Sequence, residues 1–127
     1  MNARASDITA VTEAAEAYAR ALHAGDTASL RRLFHEASHL YGVAADGCAI
    51  DWPRETFLDR VAARPAGTGA AEYTIEQVDI AGPEMAWTRL TVRAGERLFR
   101  DYLNWLRLDG EWRVIAKIFR VEDGPAI

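Results

Sequence analysis

The stretch LNWLRLDGEWRVIAKIF, Leu103 to Phe119, decides how the rest of the chain is read. Apolar and polar residues alternate on both sides of Asp109-Gly110, a dipeptide that supplies the backbone angles of a two-residue hairpin loop. Two long strands are expected, Leu98 to Leu108 and Trp112 to Val121. With that loop, Leu108 faces Glu111, Asn104 faces Ile115 and Tyr102 faces Lys117. Upstream, Met85 to Val92 reads as another strand, and a turn at Gly95-Glu96 sets Trp87 opposite Asn104 and Arg89 opposite Tyr102. Tyr73 to Ile80 is a further strand, broken by Gly82-Pro83.

The first half is helical. Ile8, Val11, Ala15, Tyr18 and Leu22 recur at spacings of three and four, which places them on one helix face. Gly25 can end that helix in the left-handed conformation, and Asp26 can cap a short second helix whose apolar side is Leu30, Leu33 and Phe34. Ser38 to Val43 reads as a strand with His39, Tyr41 and Val43 on one face. Asp46-Gly47 is a turn, and Trp52-Pro53 opens a third helix that buries Phe57, Leu58 and Val61. Arg64 to Ala71 is a loop by composition. Helices first and antiparallel strands after them predict an α+β layer structure, one domain over residues 1–127.

Bulk properties narrow the function. The chain has 127 residues, half of them apolar, and a net charge of −4 without any basic run, so nucleic acid is not an expected partner. A single cysteine, Cys48, excludes an intrachain disulfide and a cysteine metal cluster, which fits a cytoplasmic location. No apolar run is long enough to span a bilayer, and the N-terminus lacks the apolar stretch of a signal peptide.

The register sorts the sheet into two faces. One carries Trp87, Arg89, Tyr102, Asn104, Ile115, Lys117 and Phe119; the other carries Thr88, Leu90, Val92, Leu103, Trp105, Val114, Ala116 and Ile118, with Asp101 among them. The second face is the more apolar, and simple burial physics makes it the core. The first mixes aromatics, an amide and two cations, which suits a polar-lined pocket as well as a solvated surface.

Two segments carry a resemblance to a known group. YARALHAGDTASLRRLF, Tyr18 to Phe34, resembles the first two helices of the nuclear transport factor 2-like (NTF2-like) superfamily, which includes ketosteroid isomerases and SnoaL-like polyketide cyclases. Leu103 to Phe119 is similar to its last hairpin. Together with FHEASHLYGV and the helix between them, these motifs resemble the putative lumazine-binding subgroup. The resemblance implies a cone-shaped curved antiparallel sheet with about three N-terminal helices enclosing a pocket. It turns the Trp87, Tyr102, Asn104 and Lys117 face inward. The apolar face, with Leu90, Leu103, Trp105, Val114 and Ile118, then becomes an outer surface too large to leave wet, which implies a homodimer through that face.

Compared with ketosteroid isomerases, the helix-one tyrosine that donates to an oxyanion matches Tyr18, the protonated aspartic acid falls at Asn104, and the general-base aspartate falls at or near Tyr41. A tyrosine is a poor base near neutrality, so that enzyme's mechanism is not implied. The ligand-binding residues expected are Tyr18, Tyr41, Trp52, Phe57, Trp87, Arg89, Tyr102, Asn104, Lys117 and Phe119. Candidates for catalysis are Tyr18, His39, Asn104 and Lys117, with His39 as a base that titrates near neutrality and Asp46 or Asp51 as alternatives. Each has a structural alternative: Tyr18 as core, Trp52 and Phe57 as helix packing, and Lys117 or Arg89 paired with Asp51 or Glu76. Asp101 on the apolar face needs a partner such as Arg120 or a dimer contact if it is buried. His35 and His39 straddle a helix end and a strand, so neither a metal centre nor a cofactor is expected. The partner expected is a small molecule, aromatic or anionic, either held without chemistry or turned over next to a carbonyl by a cyclase, isomerase or dehydratase.

Overall fold

The computed structural model describes residues 3–127. Helix α1 (Ala3–Ala24) buries Val11, Ala15, Tyr18 and Leu22, the face set by its apolar spacing, while Ile8 stays exposed near its start. Gly25 follows at φ +71°, and Asp26 caps α2 (Thr27–Leu33) by accepting from the Ser29 N–H at 3.1 Å. Strand β1 (Phe34–Val43) begins directly, four residues before the start expected at Ser38. The Asp46-Gly47 turn leads into β2 (Ala49–Pro53), a strand that sequence reading passed over, and then α3 (Arg54–Ala62). Strands β3 (Tyr73–Ile80), β4 (Met85–Ala94), β5 (Arg97–Leu108) and β6 (Glu111–Asp123) complete the fold. Among the described residues, no helix is long and apolar enough to cross a membrane.

The six strands form one open sheet in the order β2-β1-β6-β5-β4-β3. Four of the five neighbouring pairs are antiparallel, but β1 pairs with β6 in parallel, so the sheet is mixed rather than wholly antiparallel. The chain enters β1 from α2 and meets the last strand running the same way, a pairing that no local turn signal encodes. The three helices cover one side of the sheet, where Tyr18, Phe34, Leu40, Leu90, Leu103, Trp105 and Val114 form the core.

Both predicted hairpin loops are present. Ala94 pairs with Arg97, and Leu108 pairs with Glu111 across Asp109 (φ 51°) and Gly110 (φ 79°), the positive angles of the tight turn. The β4–β5 register also holds, with Trp87 opposite Asn104 and Arg89 opposite Tyr102.

The facing differs from what the resemblance implied. Thr88, Leu90, Leu103, Trp105 and Val114 fill the interior, and Trp87, Arg89, Tyr102 and Asn104 lie on the side away from the helices. Burying the more apolar set is the cheaper solution, because each large apolar side chain removed from water contributes about 1.5–3 kcal/mol. Strand β6 does not follow a single register. Trp105 pairs with Val114 but Asn104 pairs with Ala116, leaving Ile115 as an extra residue in a bulge. Beyond it Lys117 faces Leu103 and not Tyr102, so the lysine points inward while Tyr102 and Asn104 point outward.

Candidate functional site

Helix α3 and the final strands meet over a cavity of about 310 Å3. Trp52 from β2, Phe57 from α3, Phe99 from β5 and Phe119 from β6 supply aromatic walls, with Leu22, Leu40 and Val61 between them. Trp52 lies 5.5 Å from Phe119, and Phe99 lies 6.0 Å from Phe119, measured between ring centroids. Four cationic side chains line the same space, Arg60, Arg64, Arg97 and Lys117, and among the described residues its lining holds no Asp or Glu side chain.

Each cation is held by the fold. Arg60 stacks over the Trp52 ring with its guanidinium carbon 4.2 Å from the centroid. Arg64 donates to the Leu22 carbonyl at 2.8 Å, in the last turn of α1; burial lowers its pKa from the usual guanidinium value. Arg97 donates to the Pro125 carbonyl at 2.7 Å. Gly67 fastens the loop after α3 to α1, its N–H donating to the His23 carbonyl at 2.8 Å.

Lys117 sits at the inner end. Its Nζ donates to the Tyr18 hydroxyl at 2.7 Å, and that hydroxyl donates to Asp101 Oδ2. The ammonium and carboxylate are 3.5 Å apart, and all three residues are buried. Asp101 Oδ1 is buried with no hydrogen-bond partner. Burial lowers the Lys117 pKa, against the opposing pull of the Asp101 charge. Burial, and then the neighbouring Asp101 charge, raise the Tyr18 pKa well above its usual value. Lys117 is the sole lysine of the chain; every other basic side chain apart from histidine is arginine.

Of the expected ligand-binding residues, Trp52, Phe57, Lys117 and Phe119 line the cavity, and Tyr18 touches it through Lys117. Tyr41, Trp87, Arg89, Tyr102 and Asn104 do not. They belong to the outer sheet face, where Trp87 packs edge-on against Tyr102 and Arg89 pairs with Glu76 at 3.5 Å. His39 is outside as well, its Nδ1 2.6 Å from Asp51 and its ring stacked on Tyr41. Asp101 finds its partners in Tyr18 and Lys117, not in Arg120, which is exposed on the opposite face. The carboxyl beside the helix-one tyrosine is therefore Asp101, three residues before the position the resemblance gave it. Among the described residues, no three His, Cys, Asp or Glu side chains cluster for a metal ion.

Sequence reading missed Arg60, Arg64, Arg97 and Phe99. For two of them a signal existed: Phe57, Arg60, Val61 and Arg64 follow at three, four and seven residues, one side of a helix.

Residues 6–120 match the family described as "Putative lumazine-binding". The chain belongs to the putative lumazine-binding family. Solved structures show the same architecture. An NTF2-like protein of unknown function from Silicibacter pomeroyi DSS-3 superimposes with a TM-score of 0.87 at 24% identity, covering 96% of this chain and 100% of that one. An NTF2-like protein of unknown function from Shewanella baltica OS155 gives 0.87 at 22% identity, over 94% and 97%. A ketosteroid isomerase-like protein from Erwinia carotovora atroseptica gives 0.71 at 13% identity, over 93% and 98%. These identities speak to fold alone: this member of the putative lumazine-binding family has the fold of those NTF2-like structures. No curated protein matches the chain.

Proposed function

We propose that the protein binds a flat, anionic small molecule in the cavity under α3. One observation carries this reading: a cavity large enough for a bicyclic heteroaromatic ring, walled by four aromatic residues, has four cationic side chains on its lining and no carboxylate side chain among the described residues there. Cations on low-dielectric walls raise the local potential and favour a negatively charged guest. Trp52, Phe57, Phe99 and Phe119 suit a planar ring, and the family description makes lumazines and pterins the first ligands to try. The protein is read as cytoplasmic and as a homodimer through its outer sheet face.

Thermal-shift and calorimetric titration with lumazine, flavin analogues and arylcarboxylates test the reading. A ligand at about one hundred times its Kd stabilises the fold by about 2.7 kcal/mol, a plainly measurable shift. Arg64→Met and Arg97→Met are expected to weaken anionic ligands more than neutral ones. No stabilisation by any of these compounds at millimolar concentration would overturn the proposal.

A second reading, an enzyme acting next to a carbonyl, is supported by the Tyr18–Asp101–Lys117 chain at the inner end of the cavity. It needs a base, and His39, Asp46 and Asp51 do not line the cavity. A His39→Ala variant is therefore expected to keep any turnover intact.

A further inference from the structure

Among the described residues none of the arginines is fully buried, and the chain's one lysine stands where the amine is enclosed. The two residues differ in one relevant property: a guanidinium cannot be deprotonated in a protein, whereas a desolvated amine can become a neutral nucleophile. Lys117 Nζ is 4.9 Å from the Phe57 ring centroid, 5.2 Å from Phe119 and 5.9 Å from Phe99, three residues that line the cavity. It is thus presented to the same space that Arg60, Arg64 and Arg97 border.

We propose that Lys117 is an amine nucleophile that condenses with the carbonyl group of an anionic aromatic aldehyde or ketone bound in this cavity. The choice of an anionic aromatic substrate rests on the binding reading above; the reactivity of the amine does not.

The hydrogen-bond chain supplies the proton path. The ammonium donates to the Tyr18 oxygen, and the Tyr18 hydroxyl donates to Asp101 Oδ2. Shifting one proton along this chain leaves a neutral amine, a phenol and a carboxylic acid, and removes two charges from the interior, where burying them is costly. The free lone pair of Nζ then attacks the carbonyl carbon. A carbon–nitrogen bond forms, the proton from Asp101 passes through Tyr18 to the carbonyl oxygen, and the nitrogen, which now carries two protons, returns one to Asp101 by the same path, giving a neutral carbinolamine. The hydroxyl takes that proton and leaves as water as the carbon–nitrogen double bond forms, and nitrogen passes its last proton back to Asp101, so one amine and one carbonyl compound give one imine and one water. Burial lowers the Lys117 pKa, which enriches the reactive form near neutrality; each unit of lowering raises that form about tenfold.

Only two amines exist in the chain, the α-amino group and Lys117, so reductive trapping reads the site directly. The intact protein is treated with formaldehyde and cyanoborohydride near pH 7, native and in urea, and each amine is quantified by peptide mass. The ratio of Lys117 to α-amino labelling is expected to be at least about tenfold higher in the native protein. An equal or lower ratio would overturn the amine proposal. Asp101→Asn removes the negative charge that favours the ammonium, so the labelling profile of Lys117 should move to lower pH; an unmoved profile would overturn the proton path. Pyridoxal phosphate, an anionic heteroaromatic aldehyde, is then trapped with borohydride. A single Lys117 adduct that is weakened severalfold in Arg64→Met supports both ideas. Labelling by formaldehyde without any pyridoxal phosphate adduct keeps the reactive amine and overturns its anionic aromatic substrate.

Discussion

Trp105 lies fully buried on β5, and its indole N–H donates to Thr88 Oγ1 at 3.0 Å. That bond is the reason a threonine tolerates a position between apolar residues on β4. Thr88→Val keeps the shape and removes the acceptor, leaving a buried N–H without a partner; we expect a loss of about 1–3 kcal/mol in urea denaturation. Lys117→Met should cost more, about 3–5 kcal/mol, because it leaves the Asp101 carboxylate buried without its counter-charge. If the Lys117→Met loss is restored by adding Asp101→Asn, the two residues are coupled as the 3.5 Å separation implies. Of the site residues, Trp52, Phe57, Lys117 and Phe119 were legible as cavity candidates. The role of Asp101 was not, because a lone acid on an apolar strand face reveals a need for a partner without revealing which element brings it.

The bulge at Ile115 acts at the scale of one strand and sets the facing of Ala116 to Val121, up to a second shift at Glu122. An extra residue shifts the alternation of β6 by one, which turns Lys117 and Phe119 to the helices and Ile118 to the outside. Deleting Ile115 would let Val114 and Ala116 follow one another opposite Trp105 and Asn104, with Lys117 still opposite Leu103 and facing the helices. We expect that variant to keep a cooperative thermal transition, while a second residue inserted after Ile115 would turn Lys117 outward and Ile118 inward and abolish it. The loop after α3 depends on another local constraint. A Cβ at Gly67 would lie 2.6 Å from the His23 carbonyl oxygen. Gly67→Ala should therefore destabilise the fold by about 1–3 kcal/mol and loosen Arg64, weakening anionic ligands in the same titration that measures Arg64→Met.

Over the whole molecule, one face of the sheet is covered by helices and the other is bare. On the bare face Tyr41, Ile118 and Tyr102 lie side by side across β1, β6 and β5, with exposures of 41%, 52% and 37%, and Trp87 packs against Tyr102 beside them. This row replaces the patch expected from Leu90, Leu103, Trp105 and Val114, all of which are buried. If the protein dimerises through this face, sedimentation should give a dimer, and Ile118→Glu should shift it toward monomer with the cavity ligands still bound. A wild-type monomer at all concentrations would exclude the dimer.

Local signals alone settled much of this protein. Apolar spacing defined α1, Asp26 and Gly25 marked a helix boundary, and Asp109-Gly110 and Gly95-Glu96 set two hairpin registers, because each depends only on nearby backbone angles and side-chain periodicity. The more apolar sheet face also declared itself as core by composition. Three things required the folded chain: the parallel meeting of β1 with β6, the bulge that turns Lys117 inward, and the gathering of Arg60, Arg64 and Arg97 around the cavity. Each is a contact between segments far apart in sequence, whose energy depends on how whole elements pack and which no short window of residues records.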